Sequence, residues 1–171
     1  SNSLFANNLK ISNSTLSDKN ITDHSVLVNF DVSWENSWRV STGPSNWDAA
    51  WIFIKYRITT QSDWHHATLH YVDGTGTGDG HTVPVNGVVS SSNDNGAGGA
   101  HGVFIYRNAD LPQTGVNYTG VQLRWDYGID GVADADDVEI CVLGIEMVYV
   151  QQNSYYLGDG TSSASQFYKY P

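Results

Sequence analysis

Positive charge is scarce in this sequence: Lys and Arg total 8 against 18 Asp and Glu, a net charge of −10. That balance repels phosphate backbones and anionic headgroups, so neither nucleic acid nor a membrane surface is an expected partner. Cysteine is nearly absent. Cys141 stands alone, so no intrachain disulfide can form and the fold rests on its core. Its setting in "VEICVLGIEMVYV" predicts a buried, inert thiol. No run of about 18 apolar residues occurs, so no helical membrane span is expected. No internal repeat, heptad pattern or useful length of helical periodicity is found, which excludes solenoids and coiled coils. The chain opens "SNSLFANN", with neither methionine nor a basic-then-apolar leader. That opening fits a mature secreted protein or a piece cut from a longer chain.

What the sequence does hold is β pattern. In "SVLVNFDVSW", Val26, Val28, Phe30, Val32 and Trp34 alternate with Leu27, Asn29, Asp31 and Ser33, the signature of a half-buried antiparallel strand. "AAWIFIKYRIT" places Ile52, Ile54, Tyr56 and Ile58 on one side and Trp51, Phe53, Lys55 and Arg57 on the other, which predicts a central strand. Further strands are expected at 8 to 12, 66 to 72, 81 to 87, 102 to 107, 119 to 127 and 137 to 150. Gly- and Asn-rich punctuators such as "VDGTGTGDG" and "SSSNDNGAGGA" separate them. At 171 residues, this predicts one all-β domain, an antiparallel β-sandwich of about eight strands, jelly-roll or immunoglobulin-like. Its expected bounds are 1–150, with 151–171 an extended C-terminal tail. Only 15% of residues are charged and 12% are aromatic, with Gly, Ser, Thr and Asn abundant, a profile that points to an extracellular or cell-surface protein.

Four groups of residues are candidates for chemistry. The stretch "WDYGIDGVADADDVE" carries Asp126, Asp130, Asp134, Asp136 and Asp137. Against a calcium loop, Asp126, Asp130, Gly131, Asp134 and Asp137 fall at positions one, five, six, nine and twelve. Gly128 stands where an oxygen donor belongs, and an aspartate replaces the closing glutamate. A solvated acidic turn is the competing reading, so no cofactor is expected and Ca2+ is the one ion this stretch suits. The second group is a pair of short stretches, of which the first, "DWHHATLH", puts His66 and His70 on one strand face roughly 13 Å apart, too far to bind one zinc ion. "DGTGTGDGH" has the glycine and aspartate of calcium-binding β-rolls, but it occurs once and reads as a hairpin loop.

Six tryptophans and ten tyrosines form the third group. Core filling accounts for most. Trp38 and Trp47, expected in the loop around "RVSTGPSN", and Trp64 are the candidates for stacking on sugar rings. The fourth group is three Asn-x-Ser/Thr sequons, at Asn13, Asn20 and Asn117, the places to look for glycans. No local signature of a nucleophile with its base, of paired carboxylates at a cleft or of a phosphate-cradling loop is found, so an enzyme is not expected.

The segments "VNFDVSWENSWRVSTGPSNWDAAWIFIKYR", "HGVFIYRNAD", "YTGVQLRWDYGIDGV" and "IEMVYV" resemble an uncharacterised β-sandwich domain of secreted proteins of Bacteroidota-type bacteria. That domain commonly precedes one similar to formylglycine-generating (sulfatase-modifying) enzymes. The resemblance spans about residues 8 to 160 and implies a secreted accessory domain with no catalytic residue of its own. "MVYVQQNSYYLGDG" resembles the opening strand of the enzyme-like domain, which makes Met147 to Gly160 a hinge.

The tail raises a separate expectation. Tyr155, Tyr156, Leu157, Phe167, Tyr168 and Tyr170 are too apolar to prefer water, and Met147 and Tyr149 lead into them. They are expected to lie on a neighbouring copy, giving a homo-oligomer or a filament of head-to-tail subunits. Leu4 and Phe5 are the competing anchors at the other terminus. The alternatives are a carbohydrate-binding or adhesive module, with glycans as partners, and the accessory domain above.

Overall fold

The computed structural model describes residues 7–43, 45–71, 80–91 and 99–147, and within them the chain is all-β. Eleven strands follow in order: β1 (Lys10–Asn20), β2 (Ser25–Val40), β3 (Asn46–Trp47), β4 (Ala49–Ile58), β5 (His65–His66), β6 (Leu69–His70), β7 (Gly87–Ser91), β8 (Gly99–Ala100), β9 (Val103–Arg107), β10 (Leu111–Trp125) and β11 (Val138–Met147). They form two antiparallel sheets. Sheet A has the order β1-β2-β10-β6-β8, with β3 on β2; sheet B has the order β11-β4-β9-β7, with β5 on β4.

The sheets face each other as a sandwich because each contributes one apolar row per strand. Val28, Phe30, Val32 and Trp34 of β2 with Val121, Leu123 and Trp125 of β10 meet Ile52, Ile54 and Tyr56 of β4 and Val103 and Ile105 of β9 in one buried cluster. Trp125 lies against Tyr56 with ring centroids 4.7 Å apart, tying the layers together.

One end of this core is held by a polar knot. Asp48, fully buried, accepts hydrogen bonds from Trp34 Nε1 at 2.5 Å, Ser37 Oγ at 2.8 Å and the Trp38 backbone N–H at 3.1 Å. Buried Arg107 donates through Nε to Ser37 Oγ at 2.9 Å and through Nη2 to the carbonyls of Thr114 and Gly115. A buried acid and a buried base are thus bridged by one serine.

Several elements depart from the sequence expectations. β1 continues to Asn20, through "NSTLSDKN", where alternation is weak; two irregularities interrupt its register with β2, and Asn13 and Asp18 there take positive φ. The strand expected over 66 to 72 is split: β5 joins sheet B and β6 joins sheet A, with Ala67 and Thr68 crossing between them. From 81 to 87 only a single bridge forms, Thr82 to Gln122, before β7 begins. β10 starts at Leu111, well ahead of the expected residue 119. Trp38 and Trp47, expected in a loop, lie on β2 and β3. Cys141, expected to be buried, is half-buried on the outward side of β11, opposite Lys55.

Candidate functional site

The two outer faces of the sandwich differ. On sheet A the outward positions of β2 are Leu27, Asn29, Asp31 and Ser33, and a hydrogen-bonded polar row crosses the sheet. Asn29 Nδ2 donates to Ser17 Oγ at 2.9 Å, Gln122 Nε2 to Asn29 Oδ1 at 2.6 Å and Thr82 Oγ1 to Gln122 Oε1 at 2.5 Å. Asp31 accepts from Asn13 Nδ2 at 2.6 Å and from the Gly120 N–H at 2.8 Å, which together hold its carboxyl below the usual range. This face is equipped for water.

Sheet B presents the opposite chemistry. β4 is apolar on both sides: Ile52 and Ile54 face the core, and Trp51 and Phe53 face outward. Register sets Phe104 of β9 opposite Trp51, with ring centroids 4.6 Å apart. On the other flank β11 pairs with β4 over ten consecutive positions without a bulge, placing Leu143 opposite Phe53, Ile145 opposite Trp51 and Met147 opposite Ala49. Leu143, Ile145 and Met147 are 37%, 52% and 45% exposed, a continuous apolar row on an edge strand. Among the described residues, no strand pairs with the free side of β11.

Aromatic rings continue this face towards both ends of the sheet. Near the start of β4, Trp47 stacks on Tyr106 at 5.9 Å, and the Arg39 guanidinium lies 4.9 Å from the Trp47 ring centroid and 5.5 Å from that of Tyr106. At the far end Arg57 lies 5.1 Å over Trp64 and pairs with Glu139. Between them His66 packs on Phe53 at 5.6 Å and on His101 at 5.9 Å. Partial desolvation there, followed by the positive charge of Lys55 and by His101, lowers the His66 pKa below its ordinary 6.5.

The structure brings some of the sequence candidates together and separates others. Met147 and Trp64 lie on the sheet B face, and Trp47, carried by β3 of sheet A, reaches its margin by stacking on Tyr106. Trp38 is half-buried, its Nε1 donating to Asn46 Oδ1 at 2.7 Å, and so braces the β2–β3 connection. Tyr149, Tyr155, Tyr156, Leu157, Phe167, Tyr168, Tyr170, Leu4 and Phe5 lie outside the described residues. Asn13 and Asn117 are exposed on sheet A, and Asn20 caps the β1–β2 turn by accepting from the Thr22 and Asp23 N–H groups.

The five aspartates have divergent partners. Asp126 is buried between Arg124 and His70, and Asp130 accepts from Thr68 and from Trp125 Nε1 at 2.7 Å. Asp134 accepts from Tyr127 Oη at 2.6 Å and meets His24 Nδ1 at 3.0 Å, which holds its carboxyl below the usual range. Asp136 accepts from the Ala133 N–H, and Asp137 is exposed. These bonds pin the β10–β11 connection, and among the described residues no three metal-ligating groups converge on one point.

The residues that sequence reading passed over are Trp51, Phe53, Phe104, Leu143 and Ile145. The signal was present, since "AAWIFIK" is apolar at successive positions. A strand of that kind is read as central and covered on both sides, and here the second cover is missing among the described residues. Comparison with protein-family models, with curated proteins and with solved structures finds no match.

Proposed function

We propose that the protein is a non-enzymatic structural subunit, extracellular or on the cell surface, that self-associates head to tail through an extended terminal segment. The observation that carries this reading is the apolar outer face of sheet B beside the edge of β11, which no strand among the described residues pairs. An edge strand of ten residues with no bulge, proline or charged row is a template for strand addition. Covering Leu143, Ile145 and Met147, already about half buried, contributes about 1 kcal/mol each. That is less than the 4 kcal/mol or more that association costs, so the partner must also cover the rings of Trp51 and Phe104.

The aromatic segment from Tyr149 to Tyr170 of a second copy has the composition for this, and a non-closing contact between unlike surfaces propagates as a filament. We read the sandwich itself as of jelly-roll type, because successive strands from β5 onward alternate between the sheets. The resemblance to the β-domain of secreted bacterial proteins agrees with an extracellular setting.

The test is Leu143→Lys with Ile145→Lys in the full chain. Light scattering and electron microscopy are expected to show loss of assembly with the monomer still folded, and the same loss on removing residues 151–171. Particles of unchanged length in both variants would refute the reading.

A second reading, glycan binding, is favoured by the exposure of Trp47 and Trp64 on this same face. It requires glycan-array binding that disappears in Trp47→Ala and Trp64→Ala.

A further inference from the structure

At the end of β10, in "LRWDYGID", alternation decides where the charges go. Leu123 and Trp125 are buried in the core, so Arg124 between them faces the outer side of sheet A. Arg124 Nε donates to Asp126 Oδ1 at 2.8 Å, and His70 Nδ1 meets Asp126 Oδ2 at 2.5 Å. The stem of Arg124 passes beside Gly80, where an added Cβ would stand 3.1 Å from Arg124 Cδ. The guanidinium is thereby held in one place.

The turn between β1 and β2 faces this pair and carries Asp23 and His24. Its approach is close: the Gly128 N–H donates to the His24 carbonyl at 3.0 Å, and a Cβ on Gly128 would stand 2.6 Å from that of His24. Between the turn and the end of β10 lies an open cleft of about 350 Å³, lined by Asp23, His24, Arg124, Asp126, Gly128 and Ile129. That volume is within the range of small-molecule sites.

The cleft holds hydrogen-bonding capacity that the described residues do not use. The Arg124 side chain is 24% exposed, and its Nη1 and Nη2 donors have no partner among the described residues. His24 Nδ1 is engaged by Asp134 at 3.0 Å, whose carboxyl is held below the usual range. That partner assigns the proton to Nδ1 and leaves Nε2 of the neutral ring as an acceptor, also without a partner among the described residues. Each Asp126 oxygen keeps a lone pair beyond its one bond to Arg124 or His70.

We infer that this cleft binds a neutral sugar, a single residue of a glycan. A hydroxyl both donates and accepts, which matches the Arg124 donors beside the acceptors of Asp23, Asp126 and His24. Ile129, 48% exposed, supplies aliphatic surface for the C–H side of the ring. Charge argues against the other classes of ligand. An anion would meet the carboxylates of Asp23 and Asp126. A metal ion needs several converging ligands, and no group of three is found among the described residues. The site is separate from the rings of Trp47 and Trp64 and rests on neither reading above.

The test is nuclear magnetic resonance titration of the isotope-labelled full chain with glucose, galactose, mannose, fucose and N-acetylglucosamine, and with glucuronic and galacturonic acids. At least one neutral sugar is expected to give saturable shifts of the Arg124, Gly128 and Ile129 amides, and the uronic acids to bind more weakly. His24→Ala is expected to weaken binding about fivefold and Arg124→Gln at least about tenfold, the loss of a neutral and of a charged hydrogen-bonding partner. Ile129→Ser at its exposed position is expected to weaken it too, and decides together with His24→Ala if Arg124→Gln does not fold. No saturable shift with any of the neutral sugars overturns the inference, as does tighter binding of the uronic acids. Binding that survives His24→Ala and Ile129→Ser but disappears in Trp47→Ala and Trp64→Ala overturns it by giving the sugar to the other face.

Discussion

Asp48 shows how one residue fixes a whole end of the core. It satisfies an indole, a hydroxyl and a backbone amide at once, and Ser37 links it to Arg107. Asp48→Ala removes the shared acceptor and leaves the Trp34 Nε1–H buried without one, beside an uncompensated guanidinium. A loss of about 3 kcal/mol is expected. Urea unfolding checks this: the midpoint falls and the slope is unchanged. None of the knot was legible in "SNWDAAW", because an aspartate at a strand start reads as a turn residue until its partners are known. The partners of the acidic stretch were hidden for the same reason. Spacing aligned Asp126, Asp130 and Asp134 with a cation loop and could not show their partners: Asp126 accepts from Arg124, Asp130 from Trp125 and Asp134 from Tyr127.

At the scale of elements, alternation made β2, β4 and β11 legible, and these strands frame the core. It failed where strands are short or at an edge. β1 pairs only with β2 on one side, so its sequence needs no second apolar row, and bulges at Asn13 and Asp18 absorb its irregular pattern. β5 and β6 are too brief for period two to register, and the sheet change between them turns on Ala67 and Thr68.

His66 gives the sheet B face a dependence on pH. Its folded-state pKa is lowered, so its neutral form is favoured there. The stabilising contribution is complete above 6.5 and is lost as pH falls through the lower folded-state value. Lys55 and Arg57 add to the positive charge that a partner would then have to cover, and Glu139 pairs with Arg57. Assembly followed by light scattering is expected to weaken between pH 7.5 and pH 5.5, and His66→Gln is expected to flatten that dependence. An unaltered profile in the variant would show that the histidine is not covered.

For the whole molecule, the sandwich has a polar face and an apolar face, with Asn7 and Met147 at the same end. The class of fold was legible because strand period and turn residues are local properties. The inequality of the faces was not, since it depends on which strands become neighbours: Trp51, Phe104 and Ile145 are far apart in sequence and adjacent only through the order β11-β4-β9. That inequality is the basis for reading the protein as a subunit rather than a solitary domain. It is tested most directly by the mass of the unmutated chain in solution as a function of concentration, by light scattering at pH 7.5. The account predicts an average mass that rises continuously with concentration through multiples of 18.7 kDa without a closed plateau. A constant 18.7 kDa across the whole range would contradict it.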